Sequence, residues 1–528
     1  MNGTVHDTAK DDIKGTPRRW FALAALTFAV LIVGLDGTVI NVALPTMSAQ
    51  LHASGSQLQW IGGGYLLALS VAMLPVGRLG DRFGHKKVLL GGIGLFGLAS
   101  LAGAAAGSPA AVIAARAVLG VGAAVIIPLS MAIMPRLFSK EELPKAVAAW
   151  TAATALGMPV GPLVGGWLLD HFWWGSVFLF NVPVVVLALV AGLWLLPSDA
   201  RSTAHKLPFD LLGTVLGAGG IIALVYGTIL IPTDGWTSPA VLASLIGAAA
   251  LLTAFVRHER RTAHPIVDLG LFADRRFRVG TLIAVFVNFA VMGILFVAPQ
   301  YLEAVLGNDS FGTGLRILPL IGGLMAAATV SETLVPRFGA RIVIPAGLAL
   351  LAGGALLGAT TAPGTGYGFT ALWLGLTGLG FGLAVVPATS LVMGALPETG
   401  TGSGTSLLET VQQLGGTLGV AGLGSILGYG YLQRLTPDDT AGLPPQAADA
   451  ARDSVSGADA VAAQLNLPDL AGSAHAAFVH GMDLVLLGCG ALALLAAIVA
   501  AVVLPRKATV ITSTEVARSV PETAESLV

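Results

Sequence analysis

The sequence predicts an all-α integral membrane protein of about fourteen spans, and three observations carry that prediction. Of its 528 residues, 55% are hydrophobic and 11% charged, against about 25% charged in an ordinary soluble domain. The apolar residues gather in runs near the ~20 residues that a bilayer-crossing helix needs. The Lys and Arg residues fall almost wholly in alternate gaps between those runs, as cytoplasmic loops do. Glycine is abundant at 69 residues, and small residues let membrane helices approach closely.

The first six spans read as 20–45, 58–79, 88–106, 110–133, 146–168 and 176–196. Two more follow at 211–231 and 240–256, then six at 279–299, 311–333, 342–362, 367–393, 404–427 and 482–504. An even count puts both termini on one side. Of 28 Lys and Arg, 24 lie in the termini and the even-numbered gaps. Arg434 and Arg452 lie in odd-numbered gaps, and Arg116 and Arg316 within spans. Both termini are therefore expected in the cytoplasm, in a multi-pass protein of the cell membrane. Residues 1–19 and 506–528 read as cytoplasmic tails, and 430–477 as a flexible outer loop. The polar N-terminus has no signal-peptide pattern, so the first run is a permanent span.

A repeat divides the chain. Arg82-Phe83-Gly84 follows the second span and Arg337-Phe338-Gly339 the tenth, each leading to a basic residue, Lys86 and Arg341, and a new span. If spans seven and eight are an insertion, the tenth is the counterpart of the second in a six-plus-six duplication. The organisation is then a six-helix bundle over 20–200, two inserted linker helices over 207–260 and a second six-helix bundle over 277–505.

Several functions are excluded. A net charge of −1 gives no basic surface for nucleic acid. The single Cys489 allows no disulfide within the chain. The nine His lie in tails, loops or span edges, so neither a metal site nor a membrane enzyme is expected. No G-x-x-x-x-G-K-[ST] loop is present, so ATP is not the energy source.

Four strings carry the chemistry. The first span ends Leu35-Asp36-Gly37-Thr38-Val39-Ile40-Asn41-Val42-Ala43-Leu44-Pro45. An ionisable group at membrane depth is functional by default, although Asp36 could instead serve packing. Arg116 in the fourth span lies within about 5 Å of the same depth at 1.5 Å per residue, so the two could meet; snorkelling of Arg116 to the headgroups is the alternative. The hairpin after the second span contains Gly77, Gly80, Asp81, Arg82, Gly84 and Lys86. Its glycines permit a tight turn, and Asp81 can pair with Arg or cap the next helix. That clasp would gate, holding one conformation and releasing in another. Span five holds Gly157, Pro159, Gly161, Pro162 and Gly165, which bend a helix and let a neighbour pack tightly. Span thirteen holds Glu409 with Gln412 and Gln413. Thr405, Glu409, Gln412, Gln413 and Gly416 share one face by their spacing, as a cavity lining would. Glu409 there suits a carboxyl that takes and gives a proton, or a solvated acid near the inner mouth.

Together these strings resemble the fourteen-span drug:proton antiporters of the major facilitator superfamily, over residues 20–505. The span-one string resembles the family's L-D-x-T-x-V-N-V-A-L-P signature, 77–87 its loop motif and 157–166 its antiporter motif. Phe178-Leu179-Phe180-Asn181-Val182-Pro183 resembles the string entering span six. Leu119 stands where the span-four motif usually has Gln, and Pro336 where the second loop motif would carry the acid matching Asp81. The resemblance implies the major facilitator fold, two six-helix bundles plus two extra helices. It implies proton coupling at Asp36, Arg116 and Glu409, a cavity reached by Asn41, Gln412 and Gln413, and no cofactor beyond the proton gradient. The expected partners are a small molecule, protons and the bilayer, handled by a monomer. Export of hydrophobic or cationic drugs is the expected activity; export of one metabolite or self-made antibiotic is the alternative.

Overall fold

The computed structural model describes residues 16–504 except 54, 140–141, 198–209, 264, 363 and 398–400. The tail 506–528 and most of the tail 1–19 lie outside the described residues. The first half comprises α1 (Arg18–Leu51), α2 (Gly55–Phe83), α3 (His85–Ala104), α4 (Pro109–Leu137), α5 (Leu143–His171), the short α6 (Ser176–Leu179) and α7 (Asn181–Leu195). A hairpin of α8 (Leu211–Asp234) and α9 (Pro239–Glu259) follows. The second half comprises α10 (Arg275–Gln300), α11 (Ser310–Phe338), α12 (Ala340–Gly358), α13 (Tyr367–Ala395), α14 (Thr401–Arg434), α15 (Pro445–Asp453), α16 (Val455–Leu465) and α17 (Pro468–Val503).

Local chemistry sets many of the helix starts. Side chains of Ser108, Asp210, Asp274 and Asp309 accept backbone N–H groups at the first turns of α4, α8, α10 and α11, satisfying donors that a helix start leaves free. The two Arg-Phe-Gly copies fold alike. Gly84 (φ 99°) joins α2 to α3 and Gly339 (φ 80°) joins α11 to α12, both in the left-handed region that glycine tolerates.

Two large apolar clusters are centred on the two halves and reach across their contact. One gathers Leu26, Phe96, Leu119 and Ile126; the other gathers Leu351, Trp373, Val485 and Met482. The halves meet where α2 and α4 pack on α14 and α5 packs on α11 and α13. Large apolar side chains face outward, among them Leu98, Leu187, Trp194, Ile246 and Val502. Such a surface suits lipid rather than water. The end that carries the α2–α3 turn and Arg78, Arg82, Lys87, Arg337 and Arg341 is called the basic end below.

The span count falls close to the expected fourteen, and the expected outer loop needs correction. Among the described residues twelve helices are long and apolar enough to span, and a thirteenth is α5, bent by 40° between Gly157 and Val160. The expected span 404–427 falls in α14, which is 34 residues long but not among those apolar helices, because its first half carries Thr, Glu and Gln. Residues 430–477 are not a flexible loop either. α14 runs on to Arg434, α15 and α16 fold beyond it, and α17 begins at Pro468. Apolar alanines and valines fix this segment: Ala451, Val455 and Ala458 are buried, and Tyr431 Oη donates to the Ala451 carbonyl at 2.7 Å.

Candidate functional site

Asp36 of α1 and Arg116 of α4 do meet. Arg116 Nη1 lies 2.6 Å from Asp36 Oδ2, and each residue is 1% exposed. The guanidinium also donates from Nε to the Ile61 carbonyl at 3.1 Å and lies over the Tyr65 ring, 4.3 Å from its centroid. Snorkelling is thereby set aside. The other carboxylate oxygen, Oδ1, accepts from Asn181 Nδ2 of α7 at 2.8 Å, and the same amide donates to Ser100 Oγ at 3.2 Å. Both oxygens of Asp36 are thus satisfied, as a buried carboxylate requires. The sequence string entering span six contains Asn181 without giving it a role, and Ser100 and Tyr65 carry no signal there. The signal available was Asn181 itself, a polar residue at the head of an apolar run.

The hairpin motif closes the basic end. Asp81 accepts from the backbone N–H groups of Gly402 at 2.9 Å and Ser403 at 2.8 Å, at the start of α14 in the other half. It also pairs with His85 Nε2 at 3.0 Å. The helix whose N-terminus Asp81 caps is therefore α14; its contact with the next helix, α3, is through the His85 side chain. Gly77 is needed at this crossing: a Cβ there would come within 2.7 Å of the Gly402 carbonyl carbon. Gly80 abuts Leu129 of α4 in the same way. Arg82 lies over the Phe83 ring, 5.2 Å from its centroid. Lys86 Nζ donates to the Leu193 and Leu196 carbonyls at 2.8 Å each, tying α3 to the end of α7 within one half.

The span-five motif mounts α5 on α1. A Cβ on Gly157 would lie 2.8 Å from Gly34 Cα, one on Gly161 would strike Thr38 Oγ1, and one on Gly165 would lie 2.7 Å from Val39 Cγ2. Thr38 Oγ1 bridges to the Gly157 carbonyl at 3.4 Å. Pro162 lies on the same helix, past the bend. The side chains of Pro159 and Asn41 lie outside the described residues.

Between the halves lies a cavity of about 1000 Å3. Its wall runs from Trp150 and Glu409 to Trp236, Tyr429 and Arg452 at the end opposite the basic one. The α2–α3 turn contributes nothing to the lining, so the cavity is shut from the basic end by the Asp81–α14 contact. Glu409, Gln412, Gln413 and Gly416 line it. Thr405 does not: it is fully buried, with its hydroxyl bonded to the Thr401 and Gly402 carbonyls inside the closed end. Among the described residues Glu409 has no hydrogen-bond or ion-pair partner, whereas Asn288 Nδ2 reaches the Gln412 carbonyl at 2.6 Å. Asp36 and Arg116 are absent from the lining and sit behind Gly34, Gly37 and Tyr65, which do line it. Among the described residues no three His, Cys, Asp or Glu side chains converge as a metal would need.

Two helical halves closed at one end around a central cavity, with a buried acid–base pair in one half, define a membrane transporter of small molecules. The profile of the Major Facilitator Superfamily matches residues 26–211 and 211–420, and the chain belongs to that family. It is 34% identical over 94% of both chains to the tetracenomycin C resistance and export protein of Streptomyces glaucescens. It is 32% identical to the multidrug efflux pump LfrA of Mycolicibacterium smegmatis, over 89% of this chain and 94% of that one. It is 35% identical to the puromycin resistance protein pur8 of Streptomyces alboniger, over 78% and 82%. In fold it is similar to the human organic anion transporter MFSD10, with a TM-score of 0.62 at 14% identity over 92% and 100% of the two chains.

Proposed function

We propose that the protein exports small hydrophobic or cationic compounds across the cell membrane in exchange for protons. The carrying observation is the cavity between the halves: largely apolar, with an unpaired Glu409 and two glutamines on its wall. Apolar walls with a few placed polar groups are the ordinary form of a small-molecule site. Relatives over nearly the whole chain that are named for drug resistance and export support the reading.

The basic end faces the cytoplasm in this reading, because positive loops stay inside, and both termini with it. The conformation is then outward-facing, with Asp81 and α14 as the inner gate. Protons entering from outside reach Asp36 or Glu409 and shift the equilibrium between outward- and inward-facing states. The shift requires that the proton bind the two states unequally. In the outward state Asp36 is held by Arg116 and Asn181; a proton on it must break one of those contacts, and this ties protonation to helix position. The proton gradient is the energy source, and one chain is the working unit.

Expression in a pump-deficient bacterium tests the reading. Protection against many unrelated toxic compounds, abolished when an uncoupler collapses the proton gradient, is expected. No protection despite confirmed membrane insertion, or export that persists without the gradient, overturns it. A second reading, export of one self-made antibiotic, is favoured by relatives named for tetracenomycin C and puromycin. Protection against a single compound would select it.

A further inference from the structure

We infer that α8, the first helix of the inserted hairpin, is part of the substrate site rather than a linker, and that Ile229 sets which compounds fit. The inference rests on the export reading above and names a wall of the same cavity.

The geometry of α2 and α14 carries it. At the basic end these helices touch directly through Gly77 and Gly402. Toward the opposite end both line the cavity, α2 through Tyr65, Leu66 and Leu69 and α14 through Gly416, Val420 and Ala421. A gap between two helices at membrane depth would admit lipid. α8 fills it. Ile229 Cδ1 lies 3.3 Å from where a Cβ on Gly63 of α2 would stand. Ile231 is buried in one cluster with Ala421 of α14 and Val241 of α9. Tyr226 of α8 stacks on Trp60 of α2 at 6.4 Å. The small residues Gly63 and Ala421 are what let a third helix seat here.

α8 then faces the cavity with its own side chains. Thr228, Ile229 and Ile231 are in the lining, joined by Trp236 just past the end of the helix. Thr228 Oγ1 donates to the Val225 carbonyl at 2.8 Å, so the α8 part of this wall offers mainly apolar surface. Charge on the cavity wall comes from Glu409 and, toward the end opposite the basic one, from Arg452 and Asp453, which leaves shape recognition to α8. Ile229 is the position to alter. It is neither on the Asp36–Arg116 pair nor on the α2–α14 gate, so its substitution changes cavity shape and leaves the coupling machinery alone.

The test uses the full-length chain in membranes, with tetraphenylphosphonium as a bulky probe. Cys489, the single native cysteine and fully buried, is replaced by Ala to give a background without thiols. Ile229→Cys should react with a water-soluble maleimide, and tetraphenylphosphonium at ten times its Kd should slow that reaction about tenfold by occupying the site. Gln413→Cys, on the α14 wall, should be protected alike. Gln446→Cys, exposed on α15 and absent from the cavity lining, should react and not be protected. Export is read in parallel: Ile229→Trp should raise the KM for tetraphenylphosphonium about tenfold and leave that for tetramethylammonium within about twofold, because a filled cavity rejects size and not charge. Protection at Gln413→Cys without protection at Ile229→Cys overturns the inference while leaving the export reading intact. Protection at neither position, with no export by the wild type, overturns the export reading and this inference with it. An unreactive Ile229→Cys likewise refutes a cavity-facing α8, whether or not the Trp variant folds.

Discussion

Asp81, on the last turn of α2, accepts the backbone N–H of Gly402, 321 positions further along the chain, at 2.9 Å. The bond joins the two halves at the basic end and uses the positive pole of α14, where an anion is stabilised by about 0.3–2 kcal/mol. Together with the Ser403 N–H it gives two charge-assisted bonds at a side chain only 7% exposed.

On the proposed orientation, Asp81→Ala should therefore loosen the outward-facing state without touching the cavity. Removing two such bonds is worth about 2–3 kcal/mol, enough to shift a two-state equilibrium on the order of thirtyfold or more. Thr405→Cys, buried in this conformation, should become reactive from the cytoplasmic side of inside-out vesicles in the Asp81→Ala protein. Export turnover should fall with substrate affinity retained. Lost affinity at unchanged turnover would contradict a gate at Asp81.

Asp36→Asn should abolish proton-driven export. It also leaves Arg116 buried beside a neutral amide, and removing one partner of a buried pair costs about 3–5 kcal/mol. The variant should melt lower in detergent, and adding Arg116→Met should recover much of that stability but no export. Normal export by Asp36→Asn at normal expression would refute a coupling role for the pair.

Asn181→Ala should damage the same site by a different route. It strips the donor from Asp36 Oδ1 and leaves a buried acceptor unsatisfied, a loss of about 1–3 kcal/mol. Ser100→Ala should be milder, because the 2.8 Å bond from Asn181 to Asp36 survives it. Export measured across external pH should change in its pH dependence for Asn181→Ala and not for Ser100→Ala. Equal effects of the two would reduce Asn181 to a packing residue.

Glu409→Gln separates two roles of the unpaired acid on the cavity wall. If Glu409 selects charge, cationic substrates are lost and neutral ones kept. If it carries protons, export of both falls alike as the gradient is varied. The prediction is that at least one class falls about tenfold, as expected when an apolar cavity gives up a group paired with its ligand. Unchanged export of both classes at every pH removes Glu409 from the site.

Gly161→Leu and Gly166→Ala form a matched pair on α5. A side chain on Gly161 strikes Thr38 of α1, whereas nothing lies within 4 Å of a Cβ on Gly166. Overpacking of this sort costs about 1–3 kcal/mol or more, so Gly161→Leu should lower both the melting temperature and export. Gly166→Ala should match the wild type in both. Tolerance of Leu at 161 would mean that α5 can swing clear of α1.

What the sequence alone determined was set by local quantities. Apolar run length against a bilayer of fixed thickness, and the sign of charge in each gap, depend on no other part of the chain. They sufficed for an all-helical membrane protein, for the twofold repeat around Gly84 and Gly339, and for the choice of Asp36, Arg116 and Glu409 as the ionisable residues within spans worth explaining. Tertiary structure decided everything that depends on how helices rotate and sink against one another. Depth along the helix allowed Asp36 to reach Arg116, but Asn181 became its second partner, and Ser100 the partner of Asn181, only because α7 and α3 turn those faces inward. Asp81 reaches the start of α14 as well as His85 of α3 because Gly77 and Gly402 let two distant helices touch. The hairpin of α8 and α9 reads as apolar and featureless; only packing reveals that α8 fills the space between α2 and α14. Hydrophobicity places a helix in the membrane, where every lipid-facing neighbour is equally apolar, and close fit between small and large side chains then selects its partners.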